Sequence, residues 1–594
     1  MPLGFLLSVV WNRIGRLVWL VFLLLGASYR GDAVDLFPLE EVEVGQEGVW
    51  ETVVSGTKIE RFRLKILGVI DHFSGPQRPA ILAEAFDAEA ILSGPVSGMS
   101  GSPVYIDGRL VGAYAYGYTW PKEQAIIVIT PIEEMLAILD IPEDAPAPLR
   151  RIPGISTGNR DRSSRPMAER RSRLESLSRQ PMPLALGGFS GKAINLFRSR
   201  LESMGLSPMA MPMGKTSDQA VNELVPGAPV AGILMRGDFN AAVTGTVTWR
   251  EGERLLAFGH PFLQNGHLAL PMAGAEILTV VRNLQSSFKV ANIGKPIGVL
   301  YQDRLTGVAG RLGEESPTLD LEIGVQREGV DETHFKANVW PHAEMFPMLV
   351  GMATYDSLTG SVQGDERETV ELSLRLETRE GSILTWSDVA TGERSAEAIA
   401  RGLYQKLDDL VNNPFGPVEV TAIDLSVAVR SGWQLSVLQG VELDRTRFKA
   451  GEQMKVNLKL RDYWGVLSSR SVSLEIPESL ERGETLNVLV ASGDRVDAIT
   501  GKSKERKTRL AEHFQGWETQ RLAGRVYLIL YTEENNLSVD GSRMPALPPS
   551  ISNSLSAKVT DFIRDWDQVR ILSETVIAVS GVFQGEDRIH LKIE

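Results

Sequence analysis

A chain of 594 residues is longer than one hydrophobic core can organise, and at roughly 100–200 residues per domain it should divide into three to five units. Its 43% hydrophobic and 23% charged residues are those of a soluble globular protein, and the formal net charge of −13 gives no reason to expect nucleic acid or an anionic membrane as partner, which leaves proteins or peptides. The absence of cysteine excludes a thiol nucleophile, thiolate metal sites and disulfides, and the seven histidines, His260 and His267 included, form no metal-binding pattern, so neither a metal nor another cofactor is expected.

At the N-terminus, Arg13 and Arg16 precede the apolar run Leu17–Leu25 and then the small residues Gly26, Ala27 and Ser28. This order of charged, apolar and small residues reads as a signal peptide over 1–33, with an uncleaved anchor that also uses Phe5–Trp11 as the alternative. The expected location is therefore outside the cytoplasm: periplasm, cell envelope or extracellular space.

Residues 42–140 read as strand after short strand. Trp50–Val54 is followed by the turn Ser55-Gly56-Thr57, and Phe62, Leu64 and Ile66 alternate inward; Leu110–Tyr116 and Ala125–Thr130 are further strands, and a short helix starts at Pro131. Inside this unit lies Gly98-Met99-Ser100-Gly101-Ser102-Pro103. Glycines on both sides of a serine let the chain turn tightly, lift one hydroxyl and aim neighbouring N–H groups at a common point, which is what a serine nucleophile with an oxyanion hole requires. The turn has the rhythm of the Gly-Asp-Ser-Gly-Gly-Pro turn of chymotrypsin-like proteases, with Ser100 in the nucleophile position. A tight turn without chemistry is the alternative.

Residues 145–183 change character, with nine arginines between Arg150 and Arg179 among Ser, Gly and Pro; this composition reads as a flexible linker, or else as a nucleic-acid arm. A second β unit over 184–330 begins with Gly187-Gly188-Phe189-Ser190-Gly191 and a helix from Ala193 to Met204. Leu224–Gly237 reads as a barrel strand or a peptide-binding edge, and Val243–Trp249 and Leu255–Phe258 as strands, the second ending at Gly259-His260-Pro261. His260 is held stiffly between glycine and proline, as a base or as a structural residue of a turn. His72, His267 and the Gln302-Asp303-Arg304 trio read as surface or turn residues, the trio with a possible internal ion pair, and Met204, Met209, Met211 and Met213 as loop packing. Beyond these lie an α+β unit at 331–425, with a helix over 396–411, a β-sandwich-like unit at 426–500 and a β-rich module at 501–594.

Two segments together resemble the peptidase domain of the stage IV sporulation protein B (SpoIVB) family. Thr52 to Phe62, Gly-Met-Ser-Gly-Ser-Pro and Asp107–Ala113 are similar to its C-terminal half, and Gly245-Thr246-Val247-Thr248 with Gly259-His260 to its N-terminal half. The halves stand in permuted order, serine before histidine, which a triad defined by geometry tolerates. The resemblance implies a mainly β fold: two chymotrypsin-like β-barrels in permuted order, then β-rich α+β and β-sandwich accessory domains. It further implies an exported serine endopeptidase in which Ser100 attacks a peptide carbonyl, His260 moves the proton, and the N–H groups of Gly98 and Ser100 bind the oxyanion. The acid that orients the imidazole would be Asp87, thirteen residues before the serine, with Glu89 and Asp71 as alternatives. The other readings are a catalytically silent envelope scaffold or binding protein of the same fold, and a transferase or esterase using the same apparatus.

Overall fold

The computed structural model describes residues 35–594 apart from 118–124, 143–181, 212–219, 222, 283–286, 361–366, 500–508 and scattered residues between 519 and 580. The expected signal peptide, the linker as far as residue 181, and Met213 lie outside the described residues, as does the side chain of Glu89.

The first unit contains β1 (Glu47–Val53), β2 (Ile59–Ile70), β3 (Ala80–Ala85), α1 (Ala88–Ser93), β4 (Val96–Ser97), β5 (Ser102–Ile106), β6 (Arg109–Gly117), β7 (Ala125–Pro131) and α2 (Ile132–Leu136). Six of these strands close into an antiparallel barrel in the order β1-β2-β3-β7-β6-β5, with β5 pairing back on β1. The period-two alternation drives closure: Phe62, Leu64 and Ile66 of β2 point into the barrel while Arg61, Arg63 and Lys65 face water.

The second unit comprises β8 (Met182–Gly187), α3 (Gly191–Ser203), β9 (Leu206–Ala210), β10 (Pro229–Gly237), β11 (Asn240–Glu251), β12 (Arg254–Ala257), β13 (Gly266–Val281), β14 (Ser287–Arg304) and β15 (Gly307–Leu312). Here β10, β13, β14, β15, β12 and β11 pair in sequence, and β11 pairs back on β10, so a second ring of six antiparallel strands closes. Both expected barrels are therefore present in a mainly β molecule. Helix α3 starts where Ser190 Oγ accepts the Ala193 N–H at 3.1 Å, an ordinary N-cap.

From the second barrel the sheet continues outward. Strand β10 also pairs with β17 (Thr333–Val339), which pairs with β16 (Leu319–Arg327) and onward to β20 (Val420–Ser431), β18 (Glu368–Thr378) and β19 (Ile383–Thr391). Helices α4 (Phe346–Thr359) and α5 (Ser395–Val411) pack on this extension. The unit boundary expected at 330/331 thus falls within the β16–β17 hairpin. The boundary expected at 500/501 is also crossed, since strand Thr485–Ser492 pairs with Val526–Val539 and Glu586–Lys592. That sheet shares one core with the sheet built on Gln453–Asp462, so the sandwich draws on both expected C-terminal units.

The barrels are stitched together through the backbone. Strand β4 pairs in parallel with β14, Val96 opposite Ser287 and Ser97 opposite Phe288, and Gly56 bridges to Ile277. The serine turn is the continuation of β4.

Candidate active site

The serine turn is shaped by its own backbone. Gly98 and Gly101 sit at φ +96° and +95°, where a side chain would be strained. Met99 N–H donates to Val96 O at 3.1 Å, Gly101 N–H to Tyr114 O at 2.7 Å and Ser102 N–H to Met99 O at 3.0 Å. The Ser102 hydroxyl is buried and donates to Met99 O at 2.6 Å, so it is a structural member of the turn. The Ser100 N–H takes no part in these turn bonds.

Strand β11 of the second barrel holds this turn from the other side. Thr246 N–H donates to Ser100 O at 2.9 Å, Thr246 Oγ1 to Gly98 O at 3.2 Å and Thr248 Oγ1 to Gly101 O at 2.7 Å. Residues two apart on a strand share a face, which is why the Thr-x-Thr spacing reaches two carbonyls of one turn. The contact tolerates no bulk: a Cβ on Gly101 would lie 2.0 Å from Thr246 O, and one on Gly245 2.2 Å from Phe258 Cδ1. The serine turn and Gly245–Thr248 therefore touch through their own backbone and hydroxyl groups.

His260 follows β12 after two left-handed residues, Phe258 at φ +70° and Gly259 at +69°. A buried phenylalanine in that region is strained backbone held by its surroundings. Thr130 Oγ1 of the first barrel donates to Gly259 O at 2.7 Å. The imidazole, 6% exposed, lies against Tyr116 of β6 with ring centroids 5.6 Å apart. Ser100 and His260 line one small pocket of about 20 Å³ with Val96, Ser97, Tyr114 and Met182. The hydroxyl and the imidazole face this one space, and a nucleophile–base hydrogen bond is often long before substrate arrives.

The imidazole is oriented by a backbone carbonyl. His260 Nδ1 lies 2.9 Å from Pro261 O, and since a carbonyl only accepts, Nδ1 carries a proton, which in the neutral form of the ring leaves Nε2 as the basic nitrogen. Asp87 does not fill the orienting role expected of it: its carboxylate accepts the Arg63 N–H and the Arg63 guanidinium, with Nη2 at 3.1 Å, on the outer face of the first barrel. Proximity in sequence to the serine turn did not bring it to the histidine, because β3 delivers it beside β2. Asp71 is exposed in the turn after β2.

Asp303 corrects the reading of the Gln302-Asp303-Arg304 trio as surface or turn residues. It is 1% exposed and accepts the N–H groups of Phe262 and Leu263 at 2.7 Å and of Asn265 at 3.2 Å, so it clamps the loop that leaves His260. Burial pushes its carboxyl pKa up, against the pull of those N–H groups. Within the trio, the Arg304 Nε contact is with Gln302 Oε1 at 2.8 Å. His267 and His72 are exposed, as expected.

Lys289 was not singled out by sequence reasoning. It is 2% exposed beneath the serine turn, its side chain 3.3 Å from where a Gly98 Cβ would stand, and Nζ donates to Thr52 Oγ1 at 2.8 Å. The available signal was the alternation of β14, which places Ser287, Lys289 and Ala291 on the buried face. Desolvation pushes the ammonium pKa down from 10.5 to about 7. The unfolded chain then binds the proton more tightly than the folded one, so a penalty fully present below pH 7 fades as pH rises toward 10.5. Its size is on the order of 4–5 kcal/mol. Lys289→Met should therefore melt higher than the parent near pH 6, with the gap narrowed to about a third by about pH 9.5 in thermal denaturation; a gap that does not change with pH would show that the buried amine keeps its proton as it does in the unfolded chain.

Comparison with protein-family models, with curated proteins and with solved structures finds no match to this chain.

Proposed function

We propose that the chain is an exported serine endopeptidase of the SpoIVB peptidase type, working with a Ser100–His260 dyad. The observation that carries the reading is the shared pocket: a glycine-flanked serine from one six-stranded barrel and a histidine from the other line it together, and Thr246 and Thr248 tie the serine turn to the histidine's barrel.

In this reaction Ser100 Oγ attacks the carbonyl carbon of a peptide bond while His260 Nε2 accepts the hydroxyl proton. The developing oxyanion is met by the N–H groups of Ser100 and Gly98, and the imidazolium returns its proton to the departing amine nitrogen. Water, deprotonated by Nε2, then hydrolyses the acyl ester. The Pro261 carbonyl holds Nδ1–H through both steps, which replaces the carboxylate of a triad by a weaker, uncharged orienter. The substrate would be a protein or peptide outside the cytoplasm.

A second reading, a catalytically silent scaffold of the same fold, draws support from the narrowness of the Ser100 pocket, about 20 Å³. Labelling with a serine-directed fluorophosphonate separates the two. The parent and Ser102→Ala should label and Ser100→Ala should not, because Ser102 is committed to Met99 O. Absence of labelling in the folded parent across neutral and alkaline pH would overturn the peptidase and favour the scaffold.

A further inference from the structure

Behind the serine turn the first barrel encloses a second cavity, of about 480 Å³. Trp50, Phe62, Ala85, Val96, Met99 and Tyr114 form its apolar wall. The aromatic groups are preorganised: Trp50 stacks on Phe62 with centroids 5.2 Å apart and meets Tyr114 edge-on at 6.4 Å. Folded interiors leave few voids larger than a water molecule, and a cavity in the range of about 300–1,000 Å³ is of the size that receives ligands. The buried Trp50 Nε1–H has no hydrogen-bond partner, an N–H donor that an occupant could satisfy.

Its position relates it to the reacting atoms. Val96 and Tyr114 also line the pocket of Ser100 and His260, so the two spaces share walls, and Met99 is the residue before the nucleophile. Val280 and Arg282 close the cavity from the second barrel. A side chain on the Cα next to the attacked carbonyl carbon leaves the backbone two bonds from the reacting atom, beside the walls that the two spaces share.

We propose that this cavity is the specificity pocket of the peptidase and takes a bulky apolar side chain, aromatic or branched aliphatic, from the residue whose carbonyl Ser100 attacks. The proposal rests on the peptidase reading for its orientation, and on the cavity for its chemistry. Basic side chains are excluded, since their charge would be desolvated against apolar walls and faced by Arg282. Glycine and alanine would leave the space unfilled.

Two measurements test it. Peptidyl diphenyl phosphonates that differ only in the residue presented to Ser100 should react with the parent in the order phenylalanine and leucine, then glycine, then lysine. The phenylalanine-to-glycine rate ratio should be about thirty, the value that burial of one large apolar side chain supports. In Ala85→Phe, whose folding is checked by its thermal melt, the added ring occupies the cavity and the ratio should collapse toward one. Separately, in Ser100→Ala, which forms no covalent bond, a capped phenylalanine-containing hexapeptide should raise the melting temperature where its glycine counterpart does not, and Ala85→Phe in that background should remove the shift. Equal reactivity of the phenylalanine and glycine phosphonates, or a preference that survives Ala85→Phe, overturns the pocket. If no phosphonate reacts while the phenylalanine-dependent shift persists and is removed by Ala85→Phe, the peptidase reading falls and the cavity stands as an apolar-residue binding site. Loss of both overturns both.

Discussion

His260→Ala should slow fluorophosphonate labelling and peptide cleavage by about 10²–10⁴-fold, the range that a positioned general base contributes. The parent presents Nε2 as the base because Nδ1–H is held on Pro261 O, and the described rings against it, Tyr116 and Phe258, carry no base. Asp87→Asn is the informative companion. With its carboxylate occupied by Arg63, that variant should keep the labelling rate within about twofold of the parent, a loss too small for a member of the catalytic unit. A drop in Asp87→Asn as large as that in His260→Ala would reinstate the aspartate as the third member and displace the carbonyl-oriented dyad. Second-order labelling rates on the three purified proteins decide it.

Gly101→Ala should disrupt the junction between the barrels. The added methyl would sit 2.0 Å from Thr246 O and 2.4 Å from Phe258 N, both backbone atoms, at φ +95°. Neither neighbour can rotate away as a flexible side chain would, so the turn must leave β11 or the barrels must separate. We expect a loss of about 4–5 kcal/mol, the upper range for one substitution and a large part of the ~5–15 kcal/mol that holds a domain folded. Gly108→Ala is the matched control: it also has positive φ, +77°, but nothing lies within 4 Å of the added carbon. It should cost only the conformational strain, about 1–2 kcal/mol. Denaturant titration of both variants, followed by tryptophan fluorescence, reads the difference; equal midpoints would show that the tight contact at Gly101 relaxes without cost.

Elements whose burial alternates regularly were legible before any fold was known. The inward Phe62, Leu64 and Ile66 and the helix expected over 396–411 reappear at β2 and at α5, Ser395–Val411. Helix α4 was not expected, and the reason is physical: buried on nearly every side, it carries apolar residues all round and shows no face. Strands pair across the unit boundaries expected at 330/331 and 500/501 for a related reason, since sequence composition does not say which edges of a sheet pair.

Sequence alone determined the local chemistry: a glycine-flanked Ser100, a histidine pinned between Gly259 and Pro261, and threonines two apart on one strand face, because turn geometry and side-chain period act over a few residues. What only the tertiary structure decided was which groups meet. Asp87 went to Arg63, the Pro261 carbonyl took the imidazole N–H, Asp303 took the loop after it, and Lys289 came to rest under the serine turn. Those partners are set by how two closed barrels pair edge to edge, and pairing between strands hundreds of residues apart is fixed by the burial of whole faces, a property that no short stretch of chain contains.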